Sequence, residues 1–171
     1  MTAITRFTSE FVDLEDRVRL SSEVADGRVV SVWLTQRLLN RLVPHLAGLL
    51  EKETQNTPRG EVLQAFAQQA AVTSHAQQAT GQTGVSAALS TQQWLVREVD
   101  VNAGGEAVAL KFRGEPPDQV VDVTMNQLQL RQWLGILRSQ FVKAGWDVTS
   151  WPDWLGESSV ASPRIGSVTI H

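Results

Sequence analysis

A chain of 171 residues with 42% hydrophobic content is long enough to bury one substantial core, and the length predicts a single domain over residues 1–171. Its formal net charge of −3 argues against nucleic acid as the main partner, because neutralising phosphates takes a basic face. There is no cysteine, which excludes disulfides, thiol nucleophiles and thiolate-ligated metal centres.

The opening residues, MTAITRFTSEFVDLEDRVRL, mix polar, acidic and apolar positions. They lack the uninterrupted apolar region of a signal peptide, and no stretch reaches eighteen consecutive apolar residues. A cytoplasmic, soluble protein without a membrane partner is the expectation. Residues 5–33 read as extended. Phe11, Val12 and Leu14 form a short apolar stretch, while Val18 and Leu20 alternate with Arg17, Arg19 and Ser21, the period of a half-buried strand. Asp26-Gly27, between Val24 and the run Val29-Val30-Ser31-Val32, is a strong hairpin signal. Asp13, Glu15 and Asp16 are too few for a calcium loop and read as a solvated connection.

A helix is predicted from about 36 to 51. Leu38, Leu39, Leu42, Val43, Leu46, Leu49 and Leu50 recur every three or four residues as a broad apolar stripe. On its polar side Arg37 and Arg41 lie one turn apart, a candidate fork for an acidic partner or phosphate set against the ordinary reading of a solvated face. Residues 52–93 read as an insertion and linker. Thr57-Pro58 is a good N-cap and first-turn pair for a helix running to Ala79 that is rich in alanine and glutamine. Val62, Leu63 and Phe66 are its large apolar residues, so it is expected to form readily and to anchor poorly. TGQTGVSAALSTQQ then reads as a mobile linker.

From Trp94 the extended pattern resumes through Leu95, Val96, Val99 and Val101. A turn over Asn102-Ala103-Gly104-Gly105 leads to Val108, Leu110 and Phe112. After GEPPD, whose prolines cannot donate to a ladder, Val120, Val121 and Val123 form a strand feeding a second helix. Leu130, Trp133, Leu134, Leu137 and Phe141 are its buried set, and it should end near Ala144-Gly145. Residues 146–171 carry three of the six tryptophans, Trp146, Trp151 and Trp154. Such residues either clasp an extension onto its own domain or bind a partner, and Trp151 and Trp154 are the candidates for partner binding. SPRIGSVTIH reads as an added edge strand or a disordered tail.

Two of these segments repeat one another. VVSVWLTQRLLNRLVPHLAGLL at 29–50 returns as VVDVTMNQLQLRQWLGILRSQF at 120–141, with Val32, Gln36, Leu39 and Leu46 falling on Val123, Gln127, Leu130 and Leu137. Thr35 and Asn126 occupy equivalent N-cap positions, flanked by the staple pairs Leu34/Leu39 and Met125/Leu130. Gln129 completes a capping box in the second copy. Pro44 aligns with Gly135, a matched weak point that reads as a tolerated kink or a close helix-to-sheet contact in preference to a functional hinge. The fold class is therefore α+β: antiparallel strands in two strand-hairpin-helix units related by an internal repeat, over 5–51 and 94–145, plus the inserted Ala/Gln-rich helix. In topology this order is similar to the globular heads of end-joining scaffold and centriolar assembly proteins, where a small antiparallel sandwich holds a helix-turn-helix and is followed by a helix. The likeness would span residues 5–145 and rests on no residue motif, and this chain lacks their long C-terminal coiled coil. It implies that the chain dimerises and assembles.

Chemistry is sparse. His45, His75 and His171 lie on different elements with no zinc spacing, and no nucleophile elbow, phosphate loop or dinucleotide fingerprint occurs. No catalytic residue, metal or cofactor is assigned. The expected function is a non-enzymatic protein-interaction or assembly module, a homo-oligomer or a binder of another protein. The alternative is a small-ligand or enzymatic domain using a cleft between the two repeat units.

Overall fold

The computed structural model describes residues 3–79 and 81–156; the SPRIGSVTIH segment and His171 lie outside them. Most of its strands, and helices α1 and α3, follow the patterns seen in the sequence. In chain order they are β1 (Ile4–Val12), β2 (Arg17–Val24), β3 (Val29–Leu34), α1 (Gln36–Glu51), α2 (Gly60–Ala79), β4 (Ser90–Leu95), β5 (Glu98–Gly104), β6 (Ala107–Arg113), β7 (Val120–Asn126) and α3 (Gln127–Ala144). The strands form two sheets, β1-β2-β3-β4 and β5-β6-β7. The fold is α+β.

The first sheet is not wholly antiparallel, as the sequence had suggested. β4 pairs with β3 in parallel, Val32 opposite Trp94. Parallel neighbours need a crossover of a dozen or more residues, and the segment carrying α1 and α2 supplies it. The expected linker is correspondingly shorter than 80–93. β4 already begins at Ser90, and the residues before it are strapped over β1: the Val85 amide donates to Thr8 Oγ1 at 2.9 Å and Arg6 donates to the Thr83 carbonyl at 3.4 Å. Composition gives little sign of this strand, because STQQWL holds one large buried residue, Trp94.

The segment read as one strand from Trp94 is two. Val96 donates its amide to Trp33 in the first sheet at 3.0 Å, and the next residue, Arg97, donates to Arg113 in the second at 2.8 Å. One peptide unit thus passes the chain between sheets. The following hairpin turns at Gly105 and Glu106, later than expected, since Asn102, Ala103 and Gly104 all keep ladder partners. Gly105 takes φ 60°, which glycine adopts without steric cost.

Each strand that feeds a helix does so through a side-chain cap. Thr35 Oγ1 accepts from the Leu38 amide at 3.2 Å. Asn126 Oδ1 accepts from the Gln129 amide at 2.8 Å while Gln129 Oε1 accepts from the Asn126 amide at 2.9 Å, a complete capping box. The staple residues Leu34, Leu39, Met125 and Leu130 are all buried. Beyond this local device the two halves differ: β3 lies between two neighbours in its sheet and β7 lies at an edge. α3 stops at Gly145, φ 72°, where the Gly145 and Trp146 amides donate to the Val142 and Phe141 carbonyls, a Schellman ending.

A single cluster of buried residues joins both sheets and the helices. Val18, Leu20, Val30, Val32 and Leu34 from the first sheet meet Leu110, Phe112, Val121 and Val123 from the second, with Leu130, Leu134, Leu137 and Phe141 of α3 among them. Trp133 ties the layers together. Its ring lies edge-on to Phe7 at 6.1 Å and to Phe112 at 6.4 Å, and its Nε1 donates to Ser9 Oγ at 3.0 Å. Among the described residues, no helix is long and apolar enough to cross a membrane.

Removing the Asn126 side chain takes the acceptor from the Gln129 amide at the start of the helix that carries Trp133. Asn126→Ala is expected to lower stability by about 1 kcal/mol, within the range of roughly 0.5–2 for lost caps. Urea unfolding monitored by circular dichroism checks this, and an unchanged midpoint would show that the box contributes nothing.

Candidate functional site

Helix α2 is the element whose polarity departs most from the simple rule of apolar residues inside. Phe66 is 61% exposed, Val62 48% and Leu63 47%, whereas Gln64 and Gln68 are 2% and 3% exposed. The inward face is otherwise small, with Ala65 and Ala71 buried. Its neighbour α3 meets it at Gly135, where an added Cβ would stand 3.1 Å from Val72 Cγ2 and 3.4 Å from Gln68 Nε2. The sequence suggests a kink or a helix-to-sheet contact at Gly135; the close contact there is with a helix, α2, instead. The counterpart of Gly135, Pro44, sits on the exposed side of α1, and the helix continues through it.

Both glutamines face Arg131, Gln64 meeting its buried guanidinium and Gln68 its backbone carbonyl. Arg131 of α3 is 7% exposed, and its Nη2 donates to Gln64 Oε1 at 2.5 Å. Gln64 Nε2 in turn donates to the Leu50 carbonyl at 2.7 Å and to Thr54 Oγ1 at 3.0 Å. Gln68 Nε2 donates to the Arg131 carbonyl at 2.8 Å. No carboxylate pairs directly with this guanidinium among the described residues. Burial lowers its pKa from the ordinary guanidinium value, and the Glu53 carboxylate opposes that shift. On its other side the guanidinium carbon lies 5.4 Å from the centre of the Trp154 ring, a cation–π arrangement.

Trp154 and Trp151 are each 5% exposed. They belong to the segment that follows α3, which folds back over the α1–α2 end. Trp154 Nε1 donates to Glu51 Oε1 at 2.9 Å, and Trp151 packs edge-on to Phe141 with ring centres 4.9 Å apart. Trp146 stands beside the same ring at 5.0 Å and beside Phe11 at 5.3 Å. These indoles are spent mainly on the chain's own core. Together with Phe66, Val62, Glu51, Glu61 and Asp153, Trp151 and Trp154 also line an open groove of about 1110 Å³. It lies between α2 and the C-terminal extension.

Arg37 and Arg41 are exposed and belong to the first half of α1. Trp154 is tied to Glu51 at the other end, so at 1.5 Å of rise per residue the arginines stand roughly 15–20 Å away along the axis. The structure brings the tryptophans together and leaves the arginines apart from them. Sequence reasoning missed Gln64, Gln68 and Arg131. A possible signal was the absence of charge in α2 after Glu61, since residues 62–79 contain no Asp, Glu, Lys or Arg, unusual for a helix whose outer face stays in water. No group of three or more His, Asp or Glu residues suited to a metal ion occurs among the described residues.

Gln64→Leu would remove the acceptor from a buried cation, a loss expected to cost about 2 kcal/mol. Adding Arg131→Met should recover part of that loss, since no charge then remains to satisfy. Urea unfolding of both single variants and the double variant gives the coupling; strictly additive effects would show that the two side chains do not depend on one another. Trp154→Ala should cost about 3–5 kcal/mol as a large-to-small core change, read as a lower thermal midpoint. Neither a family model, nor a curated protein, nor a solved structure matches this chain.

Proposed function

We propose that the protein is a non-enzymatic interaction module that associates with a second copy of itself through the outer face of α2. The observation that supports this reading is the outward direction of Phe66, Val62 and Leu63 on a helix whose glutamines are buried. Covering side chains of this size is worth about 1.5–3 kcal/mol each when burial is complete. Surfaces that remain in water usually carry both signs of charge at about 25–35% of positions, and the α2 face has none. Like charges brought together by a two-fold repel. A neutral face meets its own copy without that cost, which favours self-association over a charged partner.

Light scattering after size exclusion at micromolar concentration is expected to give a dimer. Phe66→Glu should shift it to monomer with the circular dichroism spectrum unchanged, because most of the residue is already exposed to water. A wild-type monomer across the concentration range would overturn the reading, and a dimer that survives Phe66→Glu would move the interface elsewhere.

A further inference from the structure

We infer that the two α2 helices pair antiparallel, about a two-fold axis passing near Gln69 and Ala70; the inference rests on the self-association proposed above and specifies its geometry. The outer stripe of α2 runs through Val62, Phe66, Gln69 and Thr73, all exposed. Their 4-3-4 spacing is that of a coiled-coil seam. Leu63, Ala70 and Gln77 flank it seven residues apart, and they too are exposed.

The stripe is graded in size along its length. Val62, Leu63 and Phe66 crowd the first turns, and Ala70 and Thr73 make the later ones lower. Parallel pairing sets Phe66 against Phe66 of the second copy and Thr73 against Thr73, so the helices would be wedged apart at one end and left short of contact at the other. Antiparallel pairing sets Phe66 against Thr73 and Ala70, and Val62 against Gln77. The largest side chain, Phe66, then meets the smaller Thr73 and Ala70 on both sides of the axis while Val62 meets a residue of similar size, which keeps a constant separation and satisfies the packing requirement of a buried seam. The opposed helix dipoles add to the preference. The seam buries no Asp, Glu, Lys or Arg, so the pairing leaves no unmatched carboxylate or basic side chain in the contact.

The lack of native cysteine makes the geometry directly readable. Val62→Cys and Gln77→Cys are prepared separately in the full chain and oxidised mildly, alone and as an equal mixture. Antiparallel pairing predicts that neither links to itself and that the mixture yields a disulfide-linked species of twice the chain mass, lost on reduction. Ala70→Cys, near the axis, should link to itself. Self-linking of Val62→Cys, or a mixture that stays unlinked while light scattering still reports a dimer, would overturn the antiparallel arrangement and leave self-association standing. A wild-type protein that is monomeric by light scattering would overturn both. All three positions are exposed, and circular dichroism of each variant checks that it remains folded.

Discussion

The burial of one guanidinium governs the arrangement of the helical layer. Arg131 sits within the α2–α3 contact with no carboxylate in direct ion-pair contact among the described residues, and leaving such a charge without acceptors would cost several kcal/mol. Gln64 supplies an oxygen, and the Trp154 ring supplies a negative π face. Both require α2 and the C-terminal extension to lie where they do. Once Gln64 and Gln68 point inward, the period of the helix turns Val62, Leu63 and Phe66 outward. The exposed apolar face and the buried polar layer are therefore two aspects of a single rotation. Gly135 permits it, since a side chain there would press on Val72 and Gln68.

Much of the scaffold was legible because its signals are local. The Asp26-Gly27 hairpin, the caps at Thr35 and Asn126, the apolar stripes of α1 and α3 and the Gly145 stop each depend on a few neighbouring residues. β4 was not legible in the same way. STQQWL has no alternation, and its place in the sheet comes from β3, far away in sequence. The turn at Gly105-Glu106 was misplaced by two residues because the pair Gly104-Gly105 offers two positions for a tight reversal and only cross-strand register chooses between them.

The candidate site was less legible than the fold, and for a physical reason. A sequence shows that α2 has few large apolar residues, and the natural inference is that those few anchor it. The opposite holds, because the partner face was already supplied with polar demand by Arg131, a residue 67 positions from Gln64. Burial of a glutamine is stabilising only where such a demand exists, and nothing within the helix announces it. The tryptophans raised the converse problem. Trp146, Trp151 and Trp154 stood out by type, and most of their surface is committed to Phe11, Phe141, Glu51 and Arg131.

The parallel pairing of β3 with β4 has a consequence for the order in which the chain can assemble. β1, β2 and β3 close on one another through short turns, and β5, β6 and β7 do the same. The ladder between β3 and β4 forms only after the whole helical segment has been looped back, so its entropic cost falls late. Until then both three-stranded meanders present an open edge. The passage of the chain at Val96 and Arg97, bonded to one sheet and then the other, makes the late step a joint one: seating β4 beside β3 also fixes where β5 begins, and hence the separation of the two sheets.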